Sequence, residues 1–242
     1  MKFLFKIFLF CIVVFFLFKI AYFFTHRRPL EFKEMQKLSA IRRMQYIKNT
    51  YNFNYYNVPV NIAFKSSMKP GGAWYDVRED LYSFPSLVAT LLKGKKHEWV
   101  IFAIEQRGIV YGFYANKGEN NFEVTPNCSV EFLVSKCEEY GCETILCFHN
   151  HPNSNPRYTD CLVPSKQDFI SANYFAECLN LKYNFIDFVC ERGRFIKFFE
   201  SYSANFVPDV ARIENIQKEN NISKWNNYKL HREIRKNRSL LY

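Results

Sequence analysis

The chain has 242 residues, 48% of them hydrophobic and only eight of them glycine, so it can supply the core of one ordinary domain with extensions at both ends. Its formal net charge is +10, yet residues 51–208 carry 15 basic and 17 acidic side chains, which leaves the basic excess in the flanks. This distribution favours a membrane surface or a partner, and it argues against a nucleic-acid groove through the domain itself.

The first 24 residues are predicted to form a transmembrane anchor. Residues 7–24 are apolar apart from Lys19, and a helix of this length crosses about 30 Å of hydrocarbon. No small-x-small cleavage site ends the run, which favours an uncleaved anchor over a signal peptide. Lys2 and Lys6 favour a cytosolic N-terminus, but the larger basic cluster after the span favours a cytosolic domain. The cysteines also favour a cytosolic domain. Besides Cys11 there are seven, and this odd number does not suggest a secreted disulfide framework.

Three further segments flank the predicted domain. Residues 25–50 predict a basic amphipathic helix, which either packs on the domain or lies on the membrane surface. Residues 51–79 are aromatic and rich in asparagine, and they predict a linker or an irregular strand pair. Residues 209–242 predict a basic tail that is solvated or docks a partner or an acidic polymer.

Residues 80–208 are predicted to form a mixed α/β domain. The expected helices cover residues 80–93, the later part of 125–140, and 165–179. The expected strands cover residues 99–104, 110–115, 144–148, 184–190 and 194–199. Glycine-containing turns at 106–108 and 191–193 predict a hairpin at each end of the domain, and no internal repeat is evident.

A candidate metal site lies where the strand over 144–148 ends. His149 and His151 are two positions apart, so in a strand both imidazoles point to one face. Ser165 is typical of a helix N-cap, and Asp168 then lies in the first turn. If that helix packs beside the strand, two imidazoles and a carboxylate converge and leave the fourth tetrahedral position of a zinc ion to water.

Glu98 is the candidate base for that water. It stands at the mouth of an apolar strand, where burial would raise its pKa. Glu105, at the far end of the same strand, is a rival. Each feature also has a structural explanation, since Ser165 and Asp168 form an ordinary capping box and a lone histidine is often a core residue. Only their combination and order indicate a metal site.

In this combination the chain resembles the JAMM (MPN/JAB) zinc metalloproteases, including their RadC-like branch. The family pattern is a glutamate opening a core strand, then His-x-His-Pro, then Ser-x-x-Asp opening a helix, and this chain has Glu98, His149-Asn150-His151-Pro152 and Ser165-Lys166-Gln167-Asp168. The resemblance covers roughly residues 80–200. It implies a JAB/MPN-like curved mixed sheet flanked by helices, zinc bound by His149, His151 and Asp168, water activated by Glu98, and an oxyanion stabilised by Ser165. Residues 153–164 form a longer connection than the family usually has there.

Three functions follow from this reading. The first is a membrane-anchored zinc peptidase or isopeptidase that cleaves a protein or peptide, including one joined to a ubiquitin-like modifier. The second is a RadC-like role in DNA transactions, which the near-neutral domain disfavours. The third is a non-catalytic MPN scaffold, against which the complete ligand set argues. The letters His-Asn-His also invite a nuclease reading, but that class spreads its residues over a hairpin and a helix.

Overall fold

The computed structural model describes residues 12–20, 33, 41, 50–153, 161–180, 182–203 and 206. The chain divides into two compact units, Met1–Tyr51 with Pro208–Tyr242, and Asn52–Val207. In the first unit, residues 12–20 are helical and exposed. The rest of the expected anchor, nearly all of the expected amphipathic helix, and the expected tail lie outside the described residues. Within the described ranges, no helix is long and apolar enough to cross a membrane.

The second unit is an α/β domain with a six-stranded sheet. Among the described residues, its helices with defined bounds are α1 (Ile62–Ser67), α2 (Phe84–Leu92), α3 (Val130–Tyr140) and α4 (Lys166–Cys178). Its strands are β1 (Ala73–Asp80), β2 (Trp99–Gln106), β3 (Ile109–Lys117), β4 (Thr144–Asn150), β5 (Asn184–Glu191) and β6 (Arg194–Ser201).

The sheet is mixed, with the strand order β1-β3-β2-β4-β5-β6. Strands β4 and β5 are parallel, and the other neighbouring pairs are antiparallel. A parallel pair needs a crossover connection, and the crossover between β4 and β5 contains α4. The mixed α/β class predicted from the sequence is therefore correct, and the crossover brings α4 back beside the end of β4.

Both faces of the sheet are covered by packed side chains. Alternate residues of each strand point to opposite faces. On one face, Phe102 and Cys147 belong to a core cluster with Leu133 of α3 and Ala172 of α4. On the other face, the rings of Phe84, Phe113, Phe148 and Phe188 form a chain of contacts between α2 and the sheet, with centroids 4.6–6.0 Å apart. The central strands are buried on both sides, as their continuous apolar runs suggest.

Several local signals act as the sequence predicts. Both hairpins turn at an Arg-Gly pair, and all four residues have positive φ, as a two-residue turn of type I′ requires. Gly141 ends α3 in the left-handed conformation, and Ser165 is the N-cap of α4.

The region before the domain core departs from expectation. The segment 51–79, predicted as a linker or an irregular strand pair, has no helix or strand over residues 52–61 and then contains α1 and most of the edge strand β1. The pairing of β1 with β3 shifts register between Asp76 and Glu79. The helix expected from residue 80 begins only at Phe84, because Asp80 ends β1 and its carboxylate accepts hydrogen bonds from the backbone N–H groups of Tyr82 and Ser83.

The edge strand also explains one glycine of β3. A Cβ atom built on Gly112 would collide with the indole ring of Trp74, on the neighbouring strand β1. The same indole packs against Phe132 of α3, with centroids 6.0 Å apart. Gly112 therefore lets the edge strand place this ring over the sheet.

Candidate metal centre

The three side chains that the sequence proposes as metal ligands meet in the structure. The Nε2 atoms of His149 and His151 are 3.1 Å apart. Asp168 places Oδ1 3.4 Å from His149 Nε2 and Oδ2 3.3 Å from His151 Nε2. Ligand atoms held about 2.0–2.1 Å from a tetrahedral zinc ion lie about 3.3 Å from one another. The two imidazole nitrogens therefore have the spacing of zinc ligands, and each of them has one oxygen of Asp168 at a similar distance.

Asp168 is held in this place by the capping box of α4. Its backbone N–H donates to Ser165 Oγ over 3.2 Å, and its Oδ2 accepts from the Ser165 backbone N–H over 2.6 Å. The capping box is therefore compatible with a metal site, since the cap fixes the Asp168 carboxylate that faces the histidines. Ser165 Oγ accepts one hydrogen bond in the cap, and its hydroxyl proton can still be donated towards the cavity that this residue lines.

Glu98 is fixed by the backbone on both sides of it. Its own N–H donates to the Asn120 carbonyl over 2.9 Å, and its carbonyl accepts from the Gly118 N–H over 2.7 Å. The side chain of Asn150 then bridges the flanking peptides: its Oδ1 accepts from the Trp99 N–H over 2.8 Å, and its Nδ2 donates to the His97 carbonyl over 3.3 Å. This amide replaces the main-chain ladder between β2 and β4, whose register ends at the pair of Val100 and His149.

The carboxylate of Glu98 shares the site with the histidines. One ligand atom each from Glu98, His149 and His151 lie within 4.8 Å of one another. Glu98 is 5% exposed, and its Oε2 is buried without a hydrogen-bond partner among the described residues. A buried carboxylate oxygen is normally paired, so this one fits a position beside a water molecule or a cation. The rival Glu105 lies elsewhere, since its carboxylate caps the Gly108 N–H in the hairpin at the opposite end of β2.

Asp187 of β5 lies behind the histidines and was not anticipated. Its Oδ1 is 3.6 Å from His149 Nδ1 and accepts from the Phe188 N–H over 2.8 Å. Metal-binding histidines commonly face a carboxylate through the other ring nitrogen, which fixes the tautomer and the ring orientation. Asp187 therefore fits the role of a partner that holds Nε2 of His149 towards the metal position.

Burial and these close charges shift the ionisation of the site. Burial disfavours the charged imidazole of His149, but Asp168 and Asp187 outweigh burial and raise its pKa to about 10. Burial also opposes ionisation of Asp168, and the two histidines outweigh it and hold the pKa of this carboxyl well below its usual range. Burial raises the pKa of Glu98, and the charges of the histidines oppose this. The two neighbouring carboxylates therefore favour the protonated form of His149 when no metal ion is bound.

Two site residues escaped sequence reasoning, although signals for both are visible. Asp187 is the single acid inside the apolar run of β5, and a buried acid in a strand is a reason to look for a buried partner. Asn150 stands between the two histidines, and the sequence alone assigns it no role. Its role depends on β2 lying next to β4, which one segment of sequence does not reveal. Residues 154–160 of the long connection lie outside the described part of the chain.

The comparisons with known proteins identified no similar protein. No protein-family model matches the chain, and the searches of curated proteins and of solved structures likewise returned no match. The geometry of the centre therefore carries the functional argument, and the two histidines with Glu98 or Asp168 are residues that could hold a metal ion.

Proposed function

We propose that this chain is a zinc-dependent peptidase or isopeptidase of the JAMM type. The observation that carries the proposal is the mutual spacing of 3.1–3.4 Å among His149, His151 and Asp168, beside a buried glutamate. This set would leave one coordination position for water or substrate, which is typical of catalytic rather than structural zinc sites. The order of a glutamate before β2, histidines ending β4 and a Ser-x-x-Asp opening α4 also supports a JAB/MPN-like domain.

In the proposed reaction, zinc would supply Lewis acidity to the substrate carbonyl and acidity to the attacking water. Glu98 would accept the proton of that water and pass it to the leaving amine. Burial of Glu98 raises its pKa, which makes the carboxylate a stronger base. Ser165 would donate its hydroxyl proton to the oxyanion, and Asp187 would hold His149 in the tautomer that binds through Nε2.

The alternatives draw less support from the described residues. A role on DNA predicts a basic surface, but residues 51–208 carry slightly more acidic than basic side chains. A scaffold has no need for a glutamate oxygen that is buried without a partner. We further propose, from the sequence, that the apolar N-terminus anchors a cytosolic domain at a membrane and that the substrate is a protein or a peptide.

The test separates metal binding from turnover. Wild-type protein should contain about one zinc per chain by elemental analysis, and His151→Ala should lose it because two protein ligands hold zinc poorly. Glu98→Gln should keep the metal and lose turnover, screened with amide-linked and isopeptide-linked peptides, because glutamine has the shape but not the basicity of glutamate. Glu105→Gln is the matched control, since it alters a buried glutamate at the other end of β2. A wild-type chain that folds without binding metal would refute the proposal.

A further inference from the structure

A cavity of about 360 Å³ opens beside the proposed metal centre and extends beyond it. Its floor is the sheet, where Val100 pairs with His149 and, two residues deeper, Phe102 pairs with Cys147. Two residues of a strand span about 7 Å. The cavity therefore runs about that far inward from the level of the histidines, along the face of β2 and β4.

Helix α4 covers one side of this space. Its cavity-lining face consists of Gln167, Ser171 and Phe175. These positions follow one another at intervals of four residues, which places them on one face of the helix. Phe175 closes the inner end, with its ring 5.2 Å from that of Phe102. Ser171 is the smallest of the three and lies halfway along the helix face, so the space depends on a short side chain at this position.

The opposite wall is the loop that follows β3, and hydrogen bonds hold it in shape. Asn120 Oδ1 accepts from the backbone N–H groups of Phe122 and Glu123, each over 2.9 Å. A Cβ atom on Gly118 would collide with the Glu123 carbonyl, so glycine allows the loop to fold back this closely. Phe122 lines the mouth of the cavity and is 76% exposed, so its ring is available to contact a bound ligand.

The lining selects for an apolar ligand without negative charge. Val100, Phe102, Val124, Pro126 and Phe175 supply the apolar surface, and no lysine or arginine is among the described residues that line the cavity. Glu123 adds a negative charge at the mouth, which disfavours anionic side chains. A cavity of about 150 Å³ already binds benzene, so this space can hold one large side chain together with part of a peptide backbone.

We propose that this cavity is the specificity pocket of the enzyme and that it binds an apolar side chain, such as that of leucine or phenylalanine, next to the scissile amide. The inference rests on the proposed function, because the metal centre is what places the scissile bond at the mouth. It adds a substrate class that the ligand set alone does not define.

Small hydroxamates test the metal centre and the pocket separately, because each binds zinc through the same group and differs only in its side chain. The full chain, loaded with zinc, is titrated by calorimetry with acetohydroxamate, isovalerohydroxamate, phenylacetohydroxamate and succinic monohydroxamate. Each buried methylene tightens binding about fourfold, so the isobutyl and benzyl compounds should bind at least about tenfold more tightly than the methyl compound. The anionic succinyl compound should gain nothing over the methyl compound.

A variant that fills the pocket shows whether the gain in hydroxamate affinity arises there. Ser171→Phe should reduce the ratio of isovalero- to acetohydroxamate affinity to about two or less, because the new ring occupies the space of the ligand side chain. Ser135→Phe is the matched control, since Ser135 is an exposed serine within α3 and does not line the cavity, so the ratio should equal that of the wild type. Ser171→Val fills less space and is used if circular dichroism shows that the larger change disturbs the fold.

The outcomes separate the two proposals. A wild-type ratio near one, with acetohydroxamate bound only in the presence of zinc, overturns the pocket and leaves the metal centre standing. A ratio that falls equally in the Ser171 and Ser135 variants also overturns the pocket. A folded chain that holds no zinc and binds no hydroxamate overturns both proposals.

Discussion

The bridge that Asn150 makes across Glu98 can be tested by removing it. Asn150→Ala deletes the acceptor of the Trp99 N–H and the donor to the His97 carbonyl. Each lost hydrogen bond costs about 0.5–1.5 kcal/mol, and a buried N–H left unsatisfied costs about 1–3 kcal/mol. Since Trp99 is buried, we expect the free energy of unfolding of the metal-free protein to fall by about 2–4 kcal/mol.

Asn184→Ala is the control for this prediction, because this asparagine is also buried and its side chain also makes two hydrogen bonds. Asn184 is also fully buried, donates to Thr144 Oγ1 over 3.1 Å and accepts from the Ser203 N–H over 2.8 Å. It begins β5, at the end of the sheet away from the histidines. Its removal should therefore cost a similar amount of stability and leave Glu98 in place.

Two measurements distinguish these variants. Urea unfolding should give similar losses of stability for both. Hydrogen exchange followed by mass spectrometry should show faster exchange over residues 97–100 in Asn150→Ala alone, because only that change frees the Trp99 N–H. Equal exchange over this segment in the two variants, or an Asn150→Ala protein as stable as the wild type, would refute the assigned bridge.

Two further predictions concern ionisation and packing. Because the pKa of His149 is raised to about 10, zinc must displace a proton at neutral pH, so competition with a chromophoric chelator should show zinc affinity rising about tenfold per pH unit between pH 7 and 9. Asp187→Asn should lower the pKa of His149, so its zinc affinity should stop rising at a lower pH than that of the wild type. A wild-type zinc affinity independent of pH would contradict the raised pKa of His149. In the sheet, Gly112→Ala should lower the free energy of unfolding by about 1–3 kcal/mol through its clash with Trp74. Gly71→Ala, where an added Cβ meets no atom within 4 Å, should cost less than Gly112→Ala, and equal losses would exclude the clash as the cause.

Local sequence signals predicted much of the domain because the deciding interactions are local. The Arg-Gly turns fix the two hairpins, and Ser165 and Gly141 mark helix ends through contacts within one turn. Within the segment 51–79, the sequence did not predict α1 or the extent of β1. The strand β1 lies at the edge of the sheet, and its weak alternation of apolar and polar residues is explained only by the packing of Trp74 on β3 and α3.

In the candidate site, too, local sequence signals predicted some residues, and contacts between distant segments decide the others. His149 and His151 could be paired from their spacing in a strand, and Asp168 from its place in a capping box. The resemblance to a known motif selected Glu98 over Glu105, and the structure puts only Glu98 beside the histidines. The supporting contacts of Asp187 and Asn150 could not be predicted in this way, because they join residues 38–53 positions apart through strand neighbours that the sequence does not specify.

The crossover between β4 and β5 has a consequence for folding. It carries Asp168 seventeen positions after His151, so a metal held by both would fasten a loop of chain onto the end of the sheet, much as a disulfide does. Closing a loop of about this length removes roughly 3 kcal/mol of conformational entropy from the unfolded chain. Removing such a metal with a chelator would release the start of α4 from the end of the sheet, so this helix could open before the antiparallel strands separate.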